Sequence, residues 1–164
     1  MKTLTLNILA ALIITATIYL IWKFSRPTEI VAVHLSQYAS YIVVKNFPFT
    51  DSGMITWWQE NRVLLKEKYG VPELGSEGSE SISVWNFGDG YQIEKPDKDS
   101  FFPSKDTSYL LCFADMNVKE NCIVKDSLMS IGKTRDGVIL FRFGNKVYSE
   151  KDNGEVVRRK ISGS

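Results

Sequence analysis

A chain of 164 residues, 44% hydrophobic and 12% aromatic, holds about one domain's worth of core-forming side chains. The net charge is +1; three of the 20 basic residues precede Pro27 and all 19 acidic ones follow it, which leaves the part after Pro27 near neutral at −2. That balance gives no electrostatic footprint for nucleic acid, and one histidine with two cysteines ten apart does not meet the pattern of a zinc site.

The first element is apolar. Leu4 to Trp22, "LTLNILAALIITATIYLIW", runs 19 residues without a charge. As a helix it spans roughly 28 Å, close to the hydrocarbon thickness of a bilayer. Lys2 stands before it, Lys23 and Arg26 after it, and Pro27 ends it. The expected organisation is a tail and single transmembrane anchor over 1–26 followed by a soluble domain over 27–164, with the lipid bilayer contacted through residues 4–22. Tyr19 and Trp22 fit the interface end of such a helix. Thr15 and Thr17 can bond back to their own helix, and Asn7 a neighbouring one. A cleaved signal peptide is the rival reading, but its best cleavage site, "ITA" ending at Ala16, is followed by further apolar residues. Flanking charge leaves the orientation undecided.

Beyond Pro27, "EIVAVHLS" and "SYIVVKNF" are β-branched runs that predict an antiparallel hairpin. "PFTDSG" interrupts them and offers Thr50, Asp51 or Ser52 as a helix N-cap. The following helix stops on Lys66, Lys68, Gly70 and Pro72. "ELGSEGSES" reads as a loop, and "ISVWNFGDGYQIEK" as a strand entering and leaving a Gly88-Asp89-Gly90 hairpin turn. "KPDKDSFFPSKDT" is a long polar loop from which Phe101 and Phe102 could dock back onto the core. The runs "YLLCFADM", "SLMSIGK", "VILFRFG", "KVYSE" and "EVVRRKI" follow at strand length, with turns at Asp136-Gly137, Gly144-Asn145 and Asn153-Gly154. The expected fold is α+β: an N-terminal transmembrane helix, then a small domain with an antiparallel β-sheet and one main amphipathic helix.

That helix, "MITWWQENRVLLKEKYG", has an uneven surface. At 100° per residue, Leu65 and Tyr69 fall within about 20° of Trp58, Met54 at about 40° and Ile55 at about 60°. These five residues form the predicted core stripe. Trp57 and Leu64 lie roughly 100–120° away. They form a shoulder that is either covered by the sheet and the loop after Gly70 or offered to a partner or membrane as an apolar patch.

Catalytic equipment is sparse. The sole histidine, His34, sits in an alternating strand and reads as a half-buried or edge residue. "FGDGY" lacks the longer glycine pattern of a phosphate or dinucleotide loop. The mixed-sign clusters "EKPDKD" and "KEN" isolate no carboxylate pair in apolar surroundings. "RRK" at Arg158 to Lys160 reads as a solvated chain end. No catalytic, cofactor-binding or metal-binding residue is assigned, and no enzymatic activity is expected.

Cys112 and Cys122 either bridge, which would place the domain in an oxidising compartment, or lie buried and reduced in a cytosolic one. "VKNFPFTDSGMITWWQENRVLLKEKYGVP", "WNFGDGY" and "LCFADM" followed by "NCI" resemble the enterobacterial putative membrane protein family known as domain of unknown function 943. The resemblance runs from about Arg26 to Asn153. It implies a small single-pass protein of a Gram-negative envelope, with Cys112 and Cys122 as a family pair; it implies no reaction. With the cysteines read as bridged, the expected location is the bacterial inner membrane with the C-terminal domain in the periplasm. The first functional expectation is therefore a non-enzymatic, membrane-anchored periplasmic protein that binds a protein partner, in one form an immunity protein against an envelope-targeting toxin. The second is a structural or assembly subunit of an envelope complex. The third is a carboxylate hydrolase, which would need a cleft pairing two acids, such as any involving Asp89 or Asp115.

Overall fold

The computed structural model describes residues 8, 12–19, 26–36, 38–72, 74–75, 81–94 and 109–160. A helix α1 covers residues 12–19. Among the described residues ten strands and one longer helix follow: β1 (Glu29–Leu35), β2 (Ala39–Lys45), α2 (Asp51–Tyr69), β3 (Ser81–Asn86), β4 (Gln92–Ile93), β5 (Leu110–Cys112), β6 (Glu120–Val124), β7 (Ser127–Lys133), β8 (Ile139–Phe143), β9 (Lys146–Glu150) and β10 (Val156–Arg159). Seven strands form one sheet in the order β1-β2-β3-β7-β8-β9-β10, and three form a second in the order β4-β6-β5.

Two features of the expected fold are corrected. The main sheet is mixed, because β2 and β3 pair in parallel, Ile42 opposite Val84, while its other neighbours are antiparallel. A hairpin cannot join parallel strands; a crossover must, and α2 is that crossover. The protein is thus mostly β-sheet, and the sequence pattern of strand lengths carries no record of this pairing. The transmembrane helix is the second correction. Among the described residues no helix is long and apolar enough to cross a membrane. The rest of Leu4 to Trp22, the Asn7 and Trp22 readings, and the Phe101 and Phe102 docking all lie outside the described residues. Tyr19 is exposed.

The helix is capped at both ends by its own sequence. Thr50 Oγ1 accepts from the Gly53 amide at 3.0 Å, and Gly70, at φ 70°, donates to Lys66 O while Val71 donates to Leu65 O. This is the paired closure that a left-handed glycine permits. A side chain at Gly53 would place Cβ 2.9 Å from Thr50 Oγ1 and 3.0 Å from Pro48 Cβ, so the cap itself requires that glycine.

Alternation within β2 explains the layering. Ile42 and Val44 join Ile82, Val84, Met129, Ile131 and Phe141 in the core that α2 covers, whereas Val43 joins Phe113 and Ile123 from the small sheet. Ile42, Val43 and Val44 are all fully buried. A strand covered on both faces reads as a continuous apolar run, which is why "YIVV" does not alternate. The Gly88-Asp89-Gly90 segment turns the chain, with Gly90 donating to Phe87 O at 3.0 Å. It is not the hairpin expected, since β3 lies in the main sheet and β4 in the small one. Gly144, at φ 54°, makes the tight β8–β9 turn, where Phe143 pairs with Lys146.

Candidate functional site

Three constellations carry the polar chemistry of the described residues. The first surrounds α2. Ile55, Trp58 and Leu65 are buried in the main core, and Met54 and Tyr69 are half-buried against it. The predicted shoulder divides. Trp57 is buried and packs edge to face on Phe47, ring centroids 5.0 Å apart. The reason is that Phe47, leaving β2, covers the N-terminal half of that side of the helix. Two turns on, Leu64 is 44% exposed and Val63 59%. Glu60 and Glu67 are exposed as well, and with Val63 and Leu64 they follow the i, i+3, i+4, i+7 spacing of one helix face. The surface stripe is two aliphatic side chains between two carboxylates.

On a neighbouring flank of α2 a cleft of about 420 Å³ opens between the helix, the chain that follows it and the ends of β7 and β8. Trp58, Val63, Val71, Pro72, Leu74 and Ile139 supply its apolar lining, and Arg62, Lys66, Glu67 and Lys133 its charged one, so Val63 and Glu67 belong both to the cleft wall and to the exposed stripe. Trp58 is only 4% exposed, and among the described residues its indole Nε1 has no hydrogen-bond partner. A buried donor left unpaired costs about 1–3 kcal/mol.

The second constellation joins the two sheets. His34, buried in β1, lies flat on Phe113 with centroids 3.7 Å apart. Its Nδ1 is 2.9 and 3.0 Å from the two Asp115 carboxylate oxygens, and its Nε2 is 2.8 Å from Tyr91 Oη. A carboxylate only accepts, so Nδ1 carries the proton and, in the neutral ring, Nε2 accepts from the phenol. Burial, and then the Asp115 charge, push the Tyr91 hydroxyl above its ordinary pKa. Tyr91 is therefore held as a phenol rather than a nucleophilic phenolate. The arrangement ties β1 to the turns flanking the small sheet. Asp115 is paired with a histidine, not with the second acid that hydrolysis by two carboxylates needs. The sequence did not disclose this cluster: its members are separated by 57 and 81 residues, and a lone histidine in a strand carries no partner signal.

The third lies at the start of α2. Asp51 Oδ2 accepts from Lys146 Nζ and from Tyr148 Oη, both at 2.8 Å. Those hydrogen bonds, the lysine's first, hold the Asp51 carboxyl below its ordinary pKa, and the bond to Asp51 raises that of Tyr148. Exposed Arg158 and Arg159 border this end of the sheet, sharing a shallow surface hollow with Lys146. Among the described residues no group of three or more His, Cys, Asp or Glu side chains is placed to hold a metal ion.

Cys112 and Cys122 face each other across β5 and β6 and are bonded, their Cα atoms 3.9 Å apart. Phe113 N donates to Asn121 O one step along, so the cysteines occupy the non-hydrogen-bonded position, where paired strands bring side chains closest. Cys122, in the central strand of the small sheet, is fully buried. The model of one family, "Enterobacterial putative membrane protein (DUF943)", matches residues 2–160, nearly the whole chain. The chain belongs to this family. For this member of the DUF943 family, comparison with curated proteins and with solved structures gives no match. The family description assigns a membrane protein and no reaction, so the site of this DUF943 protein is argued from its own geometry.

Proposed function

We propose that this DUF943 protein is a non-enzymatic binding protein of the enterobacterial envelope, held at the inner membrane with its disulfide-bearing domain in the periplasm. The bonded cysteine pair supports the compartment, since such bonds persist where the surroundings are oxidising. The observation that carries the binding role is the exposed α2 face, Val63 and Leu64 between Glu60 and Glu67. An apolar surface rimmed by polar residues supports a contact role, and Val63 with Leu64 between the two carboxylates is a small instance of it. The two carboxylates select a partner protein whose own apolar contact is flanked by basic residues. In the immunity form of this proposal, that partner is a toxin acting at the envelope.

A photo-crosslinking residue at position 64 tests it in cells. One discrete protein adduct is expected from position 64 and none from position 142, an exposed site on β8. Equal labelling from both positions, or none from position 64, would remove the binding role. A reporter fused after Ser164 is expected to be active only in the periplasm, and cytoplasmic activity would overturn the compartment.

A further inference from the structure

Positive charge gathers at one end of the main sheet. β9 begins at Lys146 and β10 ends at Arg159, opposite Val147, so Lys146, Arg158, Arg159 and Lys160 meet there and line one surface hollow. A second hollow shares Lys146 with the first and reaches Phe49 and Asp51 at the start of α2. The charged side chains of the two hollows are thus four cations and one carboxylate. Asp51 is taken by Lys146 at 2.8 Å. Arg158 lies near enough to attract Asp51, but among the described residues neither it, Arg159 nor Lys160 is in an ion pair, and all three are exposed.

No acid nearby along these strands offsets them. Glu150 and Glu155 stand at the far ends of β9 and β10, and Glu155 is bonded to Lys151 at 2.9 Å. Where the other strands begin or end on this side, the signs balance: Arg26, Lys45 and Lys125 are matched by Glu29, Asp89 and Asp126. The excess therefore belongs to the Arg158–Lys160 corner, on a domain that is otherwise near neutral.

Phe49 is the second observation. It lies between β2 and the Thr50 cap, and at 76% it is the most exposed large hydrophobic side chain among the described residues. Cations on the edge strand β10 alone would be explained as a guard against edge-to-edge pairing. An exposed ring beside them would not, since it adds apolar surface to the place being guarded. Cations next to an exposed aromatic ring do suit a lipid surface, where phosphate meets the charge and the ring enters the headgroup boundary. The matched family is described as a membrane protein, and the uncharged run Leu4 to Trp22 precedes β1, which starts at this same end of the sheet.

We propose that this end of the domain docks on the headgroup layer of an anionic phospholipid bilayer, with Phe49 as the inserted ring and Arg158, Arg159 and Lys160 as the phosphate-facing cations. Helix α2 starts at the docked end and runs toward the end of β1, where Gly70 approaches Leu35, so its C-terminal half is carried away from the lipid. The inference does not rest on the protein-partner reading, because it uses none of the residues of the α2 stripe and needs no second protein.

The test places benzoylphenylalanine at position 49 of the full chain, reconstituted in vesicles of phosphatidylcholine and phosphatidylglycerol in equal parts or of phosphatidylcholine alone. After irradiation, phospholipid adducts are counted by peptide mass spectrometry. Position 152, exposed in the β9–β10 turn at the other end of the same hairpin, is the control. Adducts are expected at position 49 and not at position 152 in the anionic vesicles. They should fall about fivefold or more in neutral vesicles and in the Arg158→Gln, Arg159→Gln, Lys160→Gln variant. Arg158→Lys with Arg159→Lys preserves the charge and should preserve the adducts. Equal labelling at the two positions, a yield at position 49 indifferent to vesicle charge and to the glutamine variant, or a loss with the lysine variant as large as with glutamine, would each overturn the docking. All the substituted side chains are exposed, so the fold is retained. The vesicles hold no other protein, so this result and the crosslink from position 64 stand or fall separately.

Discussion

Trp57 meets Phe47 edge to face, centroids 5.0 Å apart and planes at 74°, while its helical neighbour Leu64 stays 44% exposed. One side of α2 is thus core at its N-terminal half and surface at its C-terminal half. Trp57→Ala is expected to destabilise the fold about as much as Trp58→Ala, roughly 3–5 kcal/mol each, because both open a cavity under buried neighbours. Leu64→Ala is expected to cost less than about 1 kcal/mol, as surface changes do. Urea unfolding of the three variants checks this; a Trp57→Ala protein as stable as Leu64→Ala would return Trp57 to the surface.

His34 is expected to matter for stability rather than for turnover. His34→Ala leaves Tyr91 Oη and the Asp115 carboxylate without their shared partner and strips the stacking face from Phe113, at a cost of about 2–4 kcal/mol. Asp115→Asn is expected to cost less, about 1 kcal/mol, since Asp115 is 45% exposed and solvent replaces much of what is lost. A double-mutant cycle between His34 and Tyr91 should show coupling of about 1 kcal/mol, and strict additivity would remove the hydrogen-bonded link.

Much of the local structure was legible in the sequence, because it rests on local rules. Thr50 and Gly70 cap α2 as their side-chain chemistry and φ preferences dictate, and Gly144-Asn145 turns β8 into β9. What was not legible is what depends on the far neighbour. Nothing within "YIVVK" or "ISVWN" says that they pair in parallel, since that depends on where the crossover helix returns the chain. Likewise the angle of Trp57 around the helix is set by its position in the sequence, but its burial is set by Phe47, ten residues earlier in the chain that leaves β2. The His34 cluster lay hidden for the same reason: its three side chains come from β1 and from the chain at each end of the small sheet.

The bond between Cys112 and Cys122 joins residues already opposed across β5 and β6, so it secures the small sheet rather than shaping it. Closing a short loop of this kind contributes about 2–3 kcal/mol. A Cys112→Ser, Cys122→Ser double variant is expected to lose that amount, and a reductant should lower the melting temperature of the wild type and leave the variant unchanged. Alkylation of the oxidised, folded protein should label neither cysteine. Prompt labelling without reductant would refute the bond.

Asp51 supplies the acid limb of stability. It sits in the first turn of α2, where a negative charge complements the helix dipole, and it accepts from both Lys146 and Tyr148. Its folded pKa is lowered from 3.8, chiefly by those two hydrogen bonds. The stabilisation is therefore complete above the unfolded value and is lost as pH falls through the lower folded value, since protonation must then break the pair. Asp51→Asn abolishes the titration while keeping the shape. Urea midpoints measured from about pH 5 downward should fall more steeply with acid in the wild type than in the variant, and the two curves should converge at the acid end as the wild-type carboxyl protonates. Parallel curves would show that Asp51 does not hold the start of α2 to β9.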